Sequence, residues 1–352
     1  MANALRIGRL VVVILGLEAA AACTAPEAPA AGEHPRASVG CGAVAPTSAG
    51  GSVALTLNVG EGEREYRLHL PSSYDPKTVV PLVLVFHGYT GTAEGEENEH
   101  TSFSRSADEH GYAVAYPQGT GFAVDGQTVT SWNDLACNAS PGPEGPICTE
   151  DADDYPTPPE CGEPRECDWC SCHDDVGFVA ALLDEIEGAV CVDLDRVYAT
   201  GISNGAMFVH RLGCDLSDRF AAIAPVAGTI AKGFNCAPRG PRKTSMINLY
   251  GTRDAVVPFD GRPAGDGFVY TPTAQVVAAW AGTDSQRCSS VETPYPTSRD
   301  GRRGFRCTQR ADCATGAEIV DCAWDGGHDW PREGDDPFAV NVIWEFFEKN
   351  GR

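Results

Sequence analysis

The sequence predicts an α/β fold, in which a mostly parallel, doubly wound sheet carries an antiparallel hairpin at its N-terminal edge and a cysteine-rich insertion. Short apolar segments alternate with stretches of helical periodicity, which is typical of parallel sheets covered by helices on both faces. Hydrophobic residues make up 42% of the 352 residues and charged residues 21%, so the chain can bury a sizeable core.

The strands follow from apolar patterns along the chain. Residues 53–59 and 64–70 alternate between apolar and polar side chains around a Gly-Glu-Gly-Glu turn, which predicts the antiparallel hairpin. The later segments are apolar without alternation, as expected of strands that are buried on both faces of a parallel sheet. These segments are residues 81–86, 112–116, 196–200, 221–226, 246–250 and 317–323.

Helical periodicity fills the gaps between these strands. The last helical segment begins with Pro337 behind two aspartates, which is a favourable start because proline lacks an N–H and acidic groups complement the helix dipole. Strand and helix alternate to the end of the chain, so residues 51–352 are predicted to form one domain. The helices are expected at residues 174–190, 204–213, 273–281 and 337–349.

The first residues of the chain resemble an export signal. Arg6 and Arg9 precede an apolar run at residues 10–17, and small residues follow up to Ala22. The apolar run is too short to cross a bilayer as a permanent helix. We therefore expect residues 1–22 to act as a signal peptide and the protein to be exported.

Cys23 follows three alanines, as the lipidated cysteine of a bacterial lipoprotein follows its signal. Two outcomes stay open: a lipid on Cys23 anchors the protein to a membrane, or the signal is simply cleaved and the protein is released. Residues 23–50 are rich in Ala, Pro, Gly and Ser, which predicts a flexible tether. The expected location is extracellular or surface-anchored.

The chain has fifteen cysteines, and fourteen remain if Cys23 is lipidated or removed. An exported protein meets an oxidising compartment, so up to seven disulfides are expected. Six of the cysteines lie within residues 117–173, whose lack of periodicity predicts a disulfide-stapled insertion near the substrate site. The cysteine spacing in residues 167–173 is also compatible with zinc, but export favours disulfides, and neither a metal nor another cofactor is expected.

The formal net charge of −23 argues against nucleic acid as a partner, because an acidic surface repels a phosphate backbone. The same charge favours a neutral or cationic substrate. No feature of the sequence indicates self-association, and a monomer is expected.

The strongest chemical signal is a Gly-x-Ser-x-Gly motif centred on Ser203. A predicted strand runs directly into the motif and a predicted helix runs out of it, which is the setting of a nucleophile elbow. The two glycines keep the tight turn free of clashes, so that the serine hydroxyl stands exposed at the end of the sheet. Ser203 is therefore the candidate nucleophile.

A serine hydroxyl needs a base, and the base needs a third group to orient it. His328 follows the strand predicted at 317–323, and apart from His210 on the elbow helix it is the only histidine after Ser203. Asp254 follows the strand predicted at 246–250, so both side chains lie beyond carboxyl ends of strands, where α/β sheets bind ligands. Asp260 is a rival for the acid.

The His-Gly-Tyr-Thr-Gly turn after the strand predicted at 81–86 can offer backbone N–H groups to a developing oxyanion. We expect the N–H of Tyr89 to act together with that of Asn204, the residue after the nucleophile. His87 in the same turn is expected to be structural.

Further short motifs accompany these residues, and they are His87-Gly88, Tyr116-Pro117-Gln118-Gly119, Trp132-Asn133, Asp174-Asp175-Val176-Gly177-Phe178, Gly251-Thr252-Arg253-Asp254 with Val256-Val257-Pro258, and Gly327-His328-Asp329-Trp330-Pro331. With them, residues 60–350 resemble the extracellular esterase family that groups feruloyl esterases, acetylxylan esterases and polyhydroxybutyrate depolymerase-like enzymes, within the α/β-hydrolase superfamily. The resemblance implies an α/β-hydrolase fold and a catalytic triad of Ser203, Asp254 and His328.

The resemblance also implies the activity, a secreted serine carboxylic-ester hydrolase. The leading substrate is an ester on plant cell-wall xylan, with a feruloyl or acetyl acyl group. Trp132, Trp330 and Tyr89 are expected to offer aromatic surfaces to a phenolic acyl group or a sugar ring.

Other hypotheses about the function stay open. A polyhydroxyalkanoate or polyhydroxybutyrate depolymerase would use the same triad, and so would a peptidase, with only the pocket to separate them. A non-catalytic carbohydrate-binding protein on a hydrolase fold belongs to another class. It would need no complete set of serine, acid, histidine and oxyanion turn, and its function would be unchanged in Ser203→Ala.

Overall fold

The computed structural model describes residues 35–60, 62–135, 140–162, 166–169, 171–238, 243–334 and 336–352. The predicted signal at residues 1–22, Cys23 and the tether up to residue 34 lie outside the described residues, so those predictions stay predictions. In the described part of the chain, no helix combines the length and the apolar character needed to cross a membrane.

Strands and helices alternate along the described chain. The strands are β1 Ser52–Val59, β2 Gly62–His69, β3 Val80–Phe86, β4 Ala113–Pro117, β5 Thr120–Val124, β6 Gln127–Ser131, β7 Val192–Ile202, β8 Ala222–Val226, β9 Ser245–Gly251, β10 Glu292–Tyr295, β11 Arg306–Arg310 and β12 Ile319–Trp324. The helices are α1 Ala93–Gly95, α2 Phe103–His110, α3 Asp175–Ala189, α4 Asn204–Asp215, α5 Thr273–Ala281 and α6 Phe338–Lys349, with a π-helical turn at Glu96–His100.

Ten strands form one sheet in the order β1-β2-β4-β3-β7-β8-β9-β12-β11-β10. The six strands from β4 to β12 run parallel, while β1 and β2 at one edge and β10 and β11 at the other are antiparallel additions. The predicted α/β fold with its N-terminal hairpin is confirmed. The strands β10 and β11 were not predicted, because both are short, polar and partly exposed, and so lack an apolar run.

The central strands are buried on both faces, which explains their unbroken apolar runs. All seven residues of β3 are buried. Leu82 and Leu84 pack into the layer that α3, α4 and α5 cover, whereas Val83 and Val85 pack into the layer beneath α2 and α6. Successive side chains of a strand point to opposite faces, so one continuous apolar segment serves two cores.

The compact domain begins earlier than predicted. Residues 35–50, expected to belong to a tether, pack against the domain, and the compact unit starts at Pro35 rather than at residue 51. The buried Ser38 donates from its N–H to Val192 O (2.9 Å) and from its hydroxyl to Val190 O (2.6 Å), and Cys41 forms a disulfide with Cys191. Composition alone did not predict this packing, because a disulfide and hydrogen bonds to residues distant in sequence hold the segment.

Two strands lie inside the segment that was predicted to be a patternless insertion. The antiparallel pair β5 and β6 turns through Asp125 and Gly126, whose φ angles are 49° and 82°. Positive φ at both central residues is what a two-residue hairpin requires, and Asp-Gly is a favoured pair for it. The signal for this hairpin was present in the sequence, and the irregular part of the insertion begins at about residue 132.

Disulfides join all twelve cysteines that the structure describes, as expected for an exported chain. Cys23, Cys137 and Cys170 lie outside the described residues, so a seventh disulfide stays a prediction. The six pairs are Cys41–Cys191, Cys148–Cys167, Cys161–Cys172, Cys214–Cys236, Cys288–Cys313 and Cys307–Cys322.

Candidate active site

Ser203 lies in the tight turn between β7 and α4, with φ 57° and ψ −124°. This is a conformation that side-chain-bearing residues rarely adopt. Glycines make the turn sterically feasible: a Cβ on Gly201 would lie 2.8 Å from Phe86 O, and one on Gly205 would lie 2.4 Å from His87 O. The local geometry is that of a nucleophile elbow, with the serine at the carboxyl end of a central strand.

His328 and Asp254 form a hydrogen-bonded pair. The histidine Nδ1 lies 2.8 Å from Oδ2 of the aspartate, which is only 1% exposed. The other carboxylate oxygen accepts the N–H groups of Val256 (2.9 Å) and Val257 (2.8 Å), so the acid is fixed from both sides. The pairing follows from topology, because β9 and β12 are parallel neighbours whose carboxyl ends meet at one edge.

Asp260, the rival acid, is not part of this arrangement. Its side chain is exposed and pairs with Arg262 at 2.7 Å. Ser203 and His328 instead line one cleft of about 330 Å³, with Asp254 behind the histidine. The structure thus brings together the three residues that the sequence analysis singled out.

The turn after β3 faces Ser203 closely, since a Cβ on Gly88 would lie 3.3 Å from Ser203 Cβ. Two of its backbone N–H groups already have acceptors: Thr90 donates to Thr130 O at 2.8 Å, and Gly91 donates to Gly88 O at 3.0 Å. Tyr89 lines the cleft between them. The N–H of Tyr89 stays the predicted donor of this turn to an oxyanion.

Asn204 has a second role that the sequence analysis missed. Its buried side chain accepts the N–H of Trp132 through Oδ1 (2.7 Å) and donates through Nδ2 to Trp132 O (3.1 Å) and Asp134 Oδ2 (3.3 Å). These bonds tie the first residue of the elbow helix to the segment that follows β6. The side-chain amide of Asn204 thereby holds the elbow backbone against residues 132–134.

The expectation that Trp132 presents an aromatic face to the substrate is wrong. Its side chain is fully buried, stacks on Phe208 with 5.2 Å between ring centroids, and donates from Nε1 to His87 O at 3.0 Å. Through this bond the indole supports the turn at residues 87–91. A tryptophan motif in the sequence cannot distinguish a core ring from a cleft ring, because both are large apolar surfaces with one polar atom.

His87 is structural, as expected. Burial lowers the pKa of its imidazole to about 4, so the ring is neutral. In the neutral ring Nδ1 donates to Gly88 O (2.8 Å), and Nε2 accepts the N–H of Gly119 (2.9 Å). The imidazole thus links the oxyanion turn to the end of β4.

Trp330 does line the cleft, although only 4% of it is exposed. Its Nε1 donates to Glu96 Oε1 at 2.9 Å. Glu96 also lines the cleft and is 1% exposed, and burial raises the pKa of its carboxyl group. Glu96 was not predicted as a site residue, because it lies in a glutamate-rich stretch that resembles an exposed loop.

Aromatic residues of the insertion pack against the oxyanion turn. The ring of Tyr89 lies 5.6 Å from that of Tyr155 and 5.7 Å from that of Trp169, and Phe268 closes the cluster. The cystine Cys148–Cys167 belongs to the same apolar cluster. The insertion therefore contacts the turn that lines the candidate site, and it was predicted to lie near the substrate site.

One group of side chains in the described chain has the composition of a metal site: Cys148, Glu166 and Cys167. Its two sulfurs are joined in a disulfide, so they are not available as thiolate ligands. The structure therefore adds no metal-binding candidate to the sequence analysis.

The chain is similar to several proteins with esterase names. It is 31% identical to "Putative esterase NocK" of Nocardia uniformis subsp. tsuyamanensis over 299 residues, which cover 80% of this chain and 74% of that protein. It is 27% identical to "Probable feruloyl esterase C" of Aspergillus niger, over 49% of this chain and 57% of that protein. It is 25% identical to feruloyl esterase B of Piromyces equi, over 80% and 45%. The chain spans about half the length of these two feruloyl esterases.

Two solved structures share the fold. The acetyl xylan esterase from Aspergillus awamori superposes with a TM-score of 0.52 at 15% identity, covering 84% of this chain and 99% of that one. Native sOPH superposes with the same TM-score of 0.52 at 15% identity, covering 87% and 89%. No family model matches the chain.

Proposed function

Because the chain belongs to an esterase family of the α/β-hydrolase superfamily, we propose that Ser203 is its nucleophile, His328 its general base and Asp254 the residue that orients the base. One observation carries the proposal: an elbow serine shares a cleft with a histidine that is bonded to a buried carboxylate. This is the arrangement that serine catalysis needs.

The reaction proceeds in two halves. His328 Nε2 takes the proton of Ser203 as Oγ attacks the ester carbonyl carbon. The bond from that carbon to the alcohol oxygen then breaks, and the histidine gives its proton to the leaving alcohol. In the second half, water loses a proton to the same histidine and attacks the acyl carbon. The bond from that carbon to Ser203 Oγ then breaks, the histidine returns the proton to Oγ, and the acid leaves.

Two fixed features lower the barrier. Asp254 accepts the Nδ1–H of His328, which leaves Nε2 unprotonated towards the serine and stabilises the imidazolium when it forms. The N–H groups of Tyr89 and Asn204 hold the oxyanion of the tetrahedral intermediate. Removing one such donor typically costs about 3–4 kcal/mol of transition-state stabilisation.

For the substrate, we propose a feruloyl or acetyl ester on a plant cell-wall polysaccharide such as xylan. The names of the relatives from Aspergillus niger and Piromyces equi support the feruloyl group, and the fold likeness to an acetyl xylan esterase is compatible with the acetyl group. Such a polymer does not enter cells, which agrees with export and with the disulfides. Anchoring through a lipid on Cys23 and release after cleavage stay the two alternatives of this proposal.

Hydrolysis by the purified oxidised protein tests the proposal. Wild type and Ser203→Ala are compared on short p-nitrophenyl esters, methyl ferulate, acetylated xylan and hydroxybutyrate oligomers. We expect wild type to cleave at least one and Ser203→Ala to lose about a thousandfold or more in kcat. Equal rates for the two proteins would contradict the proposed triad. A preference for hydroxybutyrate oligomers would indicate a polyester, rather than a polysaccharide ester, as the substrate.

A further inference from the structure

Two consecutive glutamates precede α2, and both are buried, but they have different surroundings. Glu97 is held by a guanidinium, since it pairs with Arg67, and it also accepts the hydroxyls of Ser52 (2.6 Å) and Ser104 (3.2 Å). A buried carboxylate with these partners is satisfied. Its role is to fasten the π-helical turn to the N-terminal hairpin.

Fewer polar partners compensate for the burial of the Glu96 carboxylate. Trp330 donates to its Oε1 at 2.9 Å, and Nδ1 of His100, a residue about half exposed, lies 3.4 Å from its Oε2. A carboxylate can accept about four hydrogen bonds, so this one keeps acceptor capacity. It also lines the cleft that contains Ser203 and His328, where burial without a guanidinium partner is costly.

The position of Glu96 indicates which part of the substrate it can contact. Trp330, its hydrogen-bond donor, follows His328 by two residues. In the proposed reaction that histidine protonates the leaving alcohol, so the alcohol part of the ester must lie on the histidine side of the cleft. From this contact we infer that Glu96 lies nearer to the alcohol part than to the acyl part.

We propose that Glu96 binds a hydroxyl group of the alcohol part of the substrate, so that the enzyme selects esters of sugars over esters of simple alcohols. A desolvated carboxylate is a strong acceptor for O–H groups and offers nothing to an alcohol without them. This inference rests on the proposed function and narrows its substrate class.

The test compares esters of one acyl group, the one that wild type cleaves fastest. The alcohols are arabinose, arabinose with its free hydroxyls methylated, and methanol. Glu96→Gln keeps the size of the side chain and removes its charge. We expect the ratio of kcat/KM for the arabinose ester to kcat/KM for the methyl ester to fall by about tenfold or more in this variant.

The control is Glu99→Gln, the same substitution on an exposed neighbour in the same turn, which should leave that ratio unchanged. If Glu96→Gln does not fold, wild type alone decides, because it should prefer the arabinose ester over its methylated form by about tenfold. An equal loss on all three esters, or no preference in wild type, would overturn the inference. A wild type that cleaves no ester, or an active Ser203→Ala, would instead overturn the proposed function.

Discussion

At Ser203 the backbone stores strain that the surrounding structure must balance. A side-chain-bearing residue at φ 57° and ψ −124° costs about 1–3 kcal/mol relative to ordinary backbone. Gly201 and Gly205 allow β7 and α4 to approach the turn after β3, and the Asn204 amide fastens the first residue of α4 to Trp132. The strain is useful because it directs the hydroxyl into the cleft.

In the proposed mechanism Asp254 acts through His328, so its loss should affect the chemical step more than substrate binding. In Asp254→Asn the side chain keeps its shape, but its amide no longer selects the tautomer with an unprotonated Nε2. We expect kcat to fall by about 10³–10⁴-fold with KM changed by less than about threefold. Steady-state kinetics on a p-nitrophenyl ester measure this.

The matched control for this substitution is Asp260→Asn. That aspartate is exposed and pairs with Arg262, so kcat should stay within about twofold of wild type. A loss of activity in Asp260→Asn that equals the loss in Asp254→Asn would contradict the assignment of Asp254 as the acid.

At the scale of the secondary-structure elements, β9 and β12 carry a polar pair inside the sheet. Asn248 on β9 and Asp321 on β12 are register partners, and the amide donates to the carboxyl at 2.8 Å. Burial is the main reason that the pKa of Asp321 rises to about 6; the amide hydrogen bond opposes the rise, and the charge of Glu292 on β10 adds to it. Relative to the unfolded chain, the folded protein therefore favours the protonated form of Asp321.

The sign of the resulting pH dependence is as follows. Because the pKa of Asp321 rises on folding, from an ordinary value of 3.8, its contribution to stability is present below pH 3.8 and is lost as pH rises through about 6. Asp321→Asn cannot ionise, so its melting temperature relative to wild type should increase by about 2 °C or more between pH 4.5 and pH 7.5. Thermal unfolding at several pH values measures this, and a difference that does not change with pH would contradict it.

At the scale of the whole molecule, disulfides connect parts of the chain that are far apart in sequence. The Cys41–Cys191 bond spans 150 residues and attaches residues 35–50 to the start of β7. The Cys161–Cys172 bond spans only 11 residues within the insertion. A cross-link that closes a longer loop removes more entropy from the unfolded chain.

Removal of the longer link should therefore destabilise the protein more. We expect the double variant Cys41→Ala/Cys191→Ala to lose about 3–5 kcal/mol of unfolding free energy, and Cys161→Ala/Cys172→Ala to lose about 3 kcal/mol or less. Denaturant unfolding of the oxidised proteins compares them. An equal or larger loss for the short loop would show that native contacts, rather than loop closure, decide its contribution.

Much of this protein could be predicted from local pattern. Unbroken apolar runs predicted the parallel strands, because a strand buried on both faces has no polar side to display. The glycines around Ser203, and the places of Asp254 and His328 after strands, predicted the candidate triad, because parallel strands bring their carboxyl ends to one edge. These features depend on neighbours in the chain or on strand order.

Only the tertiary structure decided which side chains the cleft contains. Trp132 and Trp330 are the same residue type, each in a short motif, yet the first is a core ring and the second lines the cleft. Glu96 and Glu97 are adjacent, yet one meets a guanidinium and the other faces the cleft. The physical reason is that burial and partners come from residues distant in sequence, here up to 234 positions apart for Glu96 and Trp330, and no local pattern records them.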